Sequence, residues 1–456
     1  MAYVAAINAL RAYFGERIIT SDAARQAHGQ DESSHAPRLP DAVLYPHTTE
    51  AVAQAVKICA AHDMPVIPFG AGTSLEGHVL AVKGGLSIDM TEMNQVLSVN
   101  SADLDVRVQT GITRKALNDY IRSDGVFMPV DPGANCTIGG MISTRASGTN
   151  AVRYGTMREQ VLSLQVVTAA GDIVETGTRA RKSAAGYDLT HMFIGAEGTL
   201  GIVTEASLKV YGIPETISAG ICSFRSVKDA VDTAITSIQM GLPISRIELM
   251  DTFSMKAVNA YSKLGYAEQP TLFLEFTGAK VSVSEQIASF RDIAGEFGGS
   301  DITFASAQED INKLWHARHQ LYYATKAMAP GKHVVTTDAC VPISNLAACM
   351  EETRIDLEEA GVTATMLGHV GDGNFHSIIL VDPENPIDMQ LADDLNARMM
   401  RRAINMDGTA TGEHGIGIGK QKFLEWEKAD TLPLMRSIKT ALDPKGIMNP
   451  GKIFTP

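Results

Sequence analysis

From Pro129 to Asn150 the chain reads PVDPGANCTIGGMISTRASGTN. Gly, Pro, Ser, Thr and Asn crowd these positions. A stretch of this kind is a long surface loop or backbone pressed against a ligand. Around it the pattern is mixed. Residues 48–63, TTEAVAQAVKICAAHD, place Val52, Val56 and Cys59 on one helical face, with Thr48 or Thr49 as N-cap. MPVIPFG, GLSIDM, VLSVN and DVRVQTGI read as short strands, TRKALNDYIRSDG as a helix, and VLSLQVVTAAGDIVETG as a hairpin turning at Gly171-Asp172. The first part of the chain is therefore α+β.

At Pro214 the character changes. From about 215 to 400, longer helical patterns alternate with strands such as TLFLEFTG. The segment 306–328, SAQEDINKLWHARHQLYYATKAM, is expected as one helix opened by a Ser306/Glu309 capping box. Its apolar stripe would hold Ile311, Leu314, Trp315, Leu321, Tyr322 and Thr325. Residues 1–18 read as an amphipathic helix of the mature protein, since a basic start, apolar core and cleavage site are lacking.

The length of 456 residues allows two or three domains. A net charge of −13 argues against nucleic acid or an anionic membrane surface as partner. Cys59, Cys136, Cys222, Cys340 and Cys349 are widely spaced without a CxxC pair, which predicts neither a disulfide framework nor a thiolate zinc site. No apolar run approaches the roughly 18 residues a membrane span requires. The expected location is the cytoplasm, with peripheral membrane contact left open.

Three motifs could carry chemistry. In GHVGDGNFH, His369 and His376 flank the turn former Gly371-Asp372-Gly373-Asn374. If the chain turns there, Val370 pairs with Phe375 and the two histidines face each other, close enough to hold one metal ion. The other reading is two polar residues capping a turn. In TATGEHGIGIGK, Glu413 would complete a His, His, Glu set and His414 would be free as a general base. The alternative is a flexible loop with a chance Glu-His pair. GIGIGK is not a Walker loop, because Gln421 stands where Ser or Thr should hold magnesium. FGAGTSLEG offers a nest of backbone N–H groups plus Thr73 and Ser74, suited to a pyrophosphate or to a tight turn. Arg318 falls on the apolar stripe of its helix, so it needs an anion: a structural carboxylate or the carboxylate of a substrate.

Taken in order, PVIPFGAGTSLEGH, VDPGANCTIGGMISTRASG, GYDLTHMFIGAEGTLGIVTE, GHVGDGNFH, TGEHGIGIGK and LDPKGIMNPGKIF resemble the FAD-dependent D-2-hydroxyacid dehydrogenases of the vanillyl-alcohol oxidase superfamily. The resemblance implies a PCMH-type FAD-binding domain of two α+β subdomains over 1–214. It implies a cap domain with an antiparallel sheet flanked by helices over 215–405, and a segment 406–456 returning to the first. FAD would be bound non-covalently, because the covalent GGGHS pattern is absent and His78 lies after the loop. Its contacts would be Pro68, Gly70, Ala71, Gly72, Thr73, Ser74 and Leu75 in the first loop. Pro132, Gly133, Thr137, Gly139, Gly140, Ser143, Ser147 and Gly148 would follow in the second, then Glu197, Gly198, Gly201, Val203 and Asn449.

The resemblance also gives His369, His376 and Glu413 as ligands of a divalent metal, zinc by frequency, with manganese or iron as alternatives. It gives His414 as the base and Arg318 as the substrate-carboxylate site, with Tyr322 and Asn374 supporting. The implied reaction is oxidation of a D-2-hydroxy acid: D-lactate, or alternatively D-2-hydroxyglutarate or glycolate. A cytochrome, quinone or electron-transfer flavoprotein would take the electrons, and a second copy of the chain could complete a homodimer. A non-catalytic flavin-binding subunit of a larger complex is the alternative from another class.

Overall fold

The computed structural model describes residues 3–455. The chain divides into two units: residues 1–147, 155–213 and 413–456 form one, residues 148–154 and 214–412 the other.

The first unit carries two larger sheets and a two-stranded pairing of Val126–Phe127 with Tyr211–Gly212. Ala42–Leu44, Leu86–Asp89 and Val66–Phe69 pair in parallel, and Ile18–Ile19 adds antiparallel to Ala42–Leu44. The helix Thr49–Ala61 lies behind this sheet. It is N-capped by Thr48, whose hydroxyl accepts from Ala51 N at 3.2 Å, and Val52, Val56 and Cys59 are buried. The segment 1–18 contains the helix Val4–Phe14, which sends Ala6, Ile7 and Leu10 into the same core. The second sheet is antiparallel, in the order Val96–Asn100, Asp105–Gln109, Ile202–Lys209, Val161–Val167, Ile173–Glu175. The Gly-rich stretch is not all loop: Ile138–Thr144 is helical, N-capped by Thr137. Ile138, Met141 and Ile142 recur at helical spacing and are buried, so packing overrides the two glycines between them.

The second unit is built on one antiparallel sheet. Its order is Ser300–Ala305, Thr216–Ser223, Thr271–Gly278, Ile244–Met250, Thr363–His369, Asn374–Val381, His333–Thr336, and Ala339–Cys340 also pairs with Asn374–Val381. Phe276, Phe290 and Phe304 form an aromatic cluster with centroids 5.8–6.4 Å apart. The fully buried Phe276 and Phe290 each contribute roughly 1.5–3 kcal/mol by burial.

The expected helix over 306–328 is two helices, Gln308–His319 and Leu321–Met328, meeting at Gln320. The capping box does not form. Ala307 is the N-cap, and the Ser306 hydroxyl instead donates to Ser218 Oγ at 3.5 Å. Beyond the break, Leu321, Ala324 and Thr325 take the buried positions, which turns Tyr322 outward to 42% exposure.

Asp251 links the sheet to the helix Thr252–Ser262. It is buried and its Oδ1 accepts from Ser254 N at 2.7 Å. Burial pushes its carboxyl up to about 6. The unfolded value is about 3.9. Between these values the folded chain keeps a proton that the unfolded chain releases. This group's contribution to stability therefore falls as pH rises from about 4 to 6 and stays low above, by on the order of 3 kcal/mol. Asp251→Asn keeps the acceptor and removes the charge. Its melting temperature is expected to exceed wild type at pH 7.5 and to come close to it near pH 3.5. An offset equal at both pH values would contradict this origin.

Candidate active site

The strand Thr363–His369 turns back as Asn374–Val381, with His369 paired to Asn374 and Leu367 to His376. The turn holds four residues, 370–373, closed by Asp372 N donating to His369 O at 2.9 Å. Gly373 sits at φ +77°, and a Cβ there would meet Val341 O at 1.9 Å, so glycine is required. The register differs from the expected Val370–Phe375 pairing. The histidines are diagonal neighbours rather than direct partners. They still share a face, and their rings stand 5.4 Å apart at 84°.

Each imidazole is fixed from behind. His376 Nδ1 stands 2.9 Å from Thr337 O, and His369 Nδ1 stands 2.6 Å from Glu248 Oε1. A carbonyl and a carboxylate only accept, so both Nδ1 atoms carry a proton, the arrangement that leaves Nε2 as the ligand atom when an imidazole binds a metal. Asp338, fully buried, accepts from Asn374 Nδ2 at 2.8 Å, Thr411 Oγ1 at 2.8 Å and Gly412 N at 3.0 Å. That clamp fixes the loop whose next peptide bond leads to Glu413. His369, His376 and Glu413 present ligand atoms all within 4.8 Å of one another. Two imidazoles and a carboxylate suit a divalent cation with open positions. Asn374 is tied to Asp338 and to Ala339 O, so its amide supports the hairpin.

Arg318 is 8% exposed on the helix Gln308–His319. Its Nη2 and Nε donate to Glu248 Oε2 at 2.6 and 3.1 Å. Burial would raise the Glu248 carboxyl, but His369 and Arg318 outweigh it and hold it below the usual carboxylate range. Sequence reasoning missed Glu248 and Asp338. The only signal for Glu248 was one carboxylate in the apolar strand ISRIELM.

In the first unit, the loop after Val66–Phe69 approaches Thr137 so closely that a Cβ on Gly70 would lie 2.3 Å from Thr137 Oγ1. Among the described residues, no acceptor meets the backbone N–H groups of Gly70 to Leu75. Unused amides in one turn fit a pyrophosphate. The two hydroxyls are engaged elsewhere: Thr73 Oγ1 donates to Cys136 Sγ at 3.3 Å and Ser74 Oγ to Asp31 Oδ2 at 2.8 Å. His78 is buried, its Nδ1 has no hydrogen-bond partner among the described residues, and its Nε2 stands 3.4 Å from Glu197 Oε2. An orphaned buried nitrogen beside the loop also fits a bound cofactor.

Glu197 accepts from Ile416 N and Gly417 N at 2.7 and 2.8 Å, so its carboxylate clamps the segment after His414. Asn449 donates to Glu197 O and His78 O. Gly201 packs against Val166, and Val203 lies in the core. Gly148 falls in the second unit, unlike the other expected cofactor residues. His414 Nδ1 stands 3.6 Å from Glu76 Oε1.

Residues 213–453 match the family of FAD linked oxidases, C-terminal domain, and residues 40–177 match an FAD binding domain. A probable mitochondrial D-lactate dehydrogenase of Danio rerio is 47% identical over 96% of this chain and 89% of that protein. The mitochondrial D-lactate dehydrogenase [cytochrome] of Arabidopsis thaliana is 43% identical over 99% of this chain and 80% of that protein. These names do not support the cytoplasmic expectation. The fold matches 4-ethylphenol oxidase from Gulosibacter chungangensis with a TM-score of 0.79 and 18% identity, covering 99% of this chain and 97% of the other. No helix among the described residues is long and apolar enough to cross a membrane.

Proposed function

The chain belongs to the FAD-linked oxidases, as an FAD-dependent D-2-hydroxyacid dehydrogenase of the vanillyl-alcohol oxidase superfamily, and on that premise we propose that it oxidises D-lactate to pyruvate with the help of a divalent metal. The observation that carries the reading is the His369, His376, Glu413 triad, with Arg318 tied through Glu248 to the first of its ligands. Gly70 to Leu75 would hold the FAD pyrophosphate, and the triad would hold the metal. When bound, FAD supplies a hydride acceptor and the metal supplies the positive charge that acidifies a hydroxyl.

The chain's own groups do the rest. Arg318 binds the substrate carboxylate and so fixes which Cα hydrogen can leave. His414 Nε2 takes the hydroxyl proton, and Glu76 opposite Nδ1 stabilises the imidazolium. A cytochrome as electron acceptor follows the name of the Arabidopsis relative; zinc is the metal favoured by frequency, with manganese or iron as alternatives.

A monocarboxylate fits better than D-2-hydroxyglutarate, whose second carboxylate needs a second cation. Arg246 shares the face of Glu248, two residues away, but it is committed. Its Nε donates to Asn150 Oδ1 at 2.8 Å, Nη1 lies 3.4 Å from Glu275 Oε2, and its guanidinium stacks on Trp315 at 4.9 Å. With an artificial electron acceptor, kcat/KM for D-lactate is expected to exceed that for D-2-hydroxyglutarate by at least roughly tenfold, about 1.4 kcal/mol in the barrier. The reverse order would reassign the substrate. A flavin-loaded chain that turns over neither these acids nor glycolate would make it a non-catalytic subunit.

A further inference from the structure

We propose that Glu248 is a positioning residue that sets, with its two oxygens, both the metal-facing nitrogen of His369 and the substrate-facing edge of Arg318. The inference rests on the reading above and adds to it how metal binding and substrate binding are coupled. Glu248 is 1% exposed in the strand Ile244–Met250. The pairing of Leu249 with Gly368, continued by one residue, brings Glu248 opposite His369 on one face of the sheet. Arg318 reaches the same carboxylate from the helix Gln308–His319.

The oxygens are divided. Oε1 takes His369 Nδ1 at 2.6 Å, and Oε2 takes Arg318 Nη2 at 2.6 Å and Nε at 3.1 Å. The first contact holds the proton of His369 on Nδ1, so that Nε2 is the nitrogen that would face a metal. The second uses the side-on edge of the guanidinium. Arg318 Nη1 has no acceptor among the described residues, so the end-on Nη1/Nη2 edge is the one left for a planar carboxylate. One carboxylate thus orients both groups, and a shift on either side is passed to the other through a rigid side chain.

Glutamine is isosteric but has one accepting oxygen and one donating nitrogen. It cannot accept from His369 and Arg318 together. If the amide nitrogen faces His369, the imidazole must take the other tautomer; if it faces Arg318, donor meets donor. Glu248→Gln is therefore expected to weaken Zn²⁺ and Mn²⁺ binding by about 10–100-fold, the usual cost of losing such a support. It should also raise KM for D-lactate by roughly tenfold or more, as expected when the bidentate anchor of a charged group is misaligned.

The experiment measures metal affinity by competition with a chromophoric chelator on purified flavin-loaded protein, and KM separately. Bound flavin and melting temperature report folding. Glu248→Asp, which keeps the charge but reaches only one partner at a time, is the second variant and the one that counts if Gln does not fold. Weaker metal binding together with a raised KM in the variant, with flavin retained, supports the coupling. A variant that binds both metals within threefold of wild type, or keeps the wild-type KM, overturns it. Wild type that binds no metal and is not reduced by D-lactate overturns the functional reading instead, so the two failures are distinct.

Discussion

His414→Ala is expected to slow flavin reduction by D-lactate by about 10²–10⁴-fold while leaving FAD bound, the usual range for a lost general base. The hydroxyl proton must leave as the Cα hydrogen departs. His414 is the candidate acceptor, with the Glu76 carboxylate 3.6 Å behind its Nδ1. FAD retention is expected because the unused amides of Gly70 to Leu75 do not depend on this side chain. A pre-steady-state measurement of flavin absorbance separates this step from reoxidation. A rate within a few-fold of wild type would remove His414 from the role of base.

The second large effect concerns the metal. His376→Ala removes one of two imidazoles that are each held through Nδ1 by an acceptor behind the ring. Purified His376→Ala is expected to hold well under half an equivalent of metal and to lose at least about 10²-fold in flavin reduction, since the metal's stabilisation of developing charge is worth several kcal/mol. Elemental analysis alongside kinetics makes the test independent of activity. Full metal content in the variant would dismiss His376 as a ligand.

The hairpin shows how far the sequence reaches. Strand, turn and strand were legible because the apolar flanks and the Gly-Asp-Gly-Asn run are local signals. The register was not, because the number of residues left unpaired depends on the closing hydrogen bond from Asp372 N to His369 O and on the room around Gly373. Because the strand side-chain period is two, the observed register still puts both histidines on one face. The segment 306–328 failed differently. Its apolar periodicity continues across Gln320, and only the packing of Leu321, Ala324 and Thr325 reveals that a second helix begins and that Tyr322 points away.

The supporting carboxylates were the least legible part. Glu248 finds Arg318 70 residues away and His369 121 away, and Asp338 clamps a loop 74 residues on. Such contacts arise from sheet order, which no local pattern encodes. By contrast, Thr48 as N-cap and Val52, Val56 and Cys59 as a buried stripe were readable within one window, because each depends on neighbours three or four residues away.

The most direct measurement is an anaerobic titration of the flavin-loaded protein with D-lactate, before chelation, after chelation and after a divalent metal is restored. The account predicts bleaching of the flavin absorbance in the first and third states and at least about 10²-fold slower bleaching in the second. Equal rates in all three states, in protein shown by elemental analysis to be metal-free after chelation, would contradict metal-assisted oxidation of a 2-hydroxy acid.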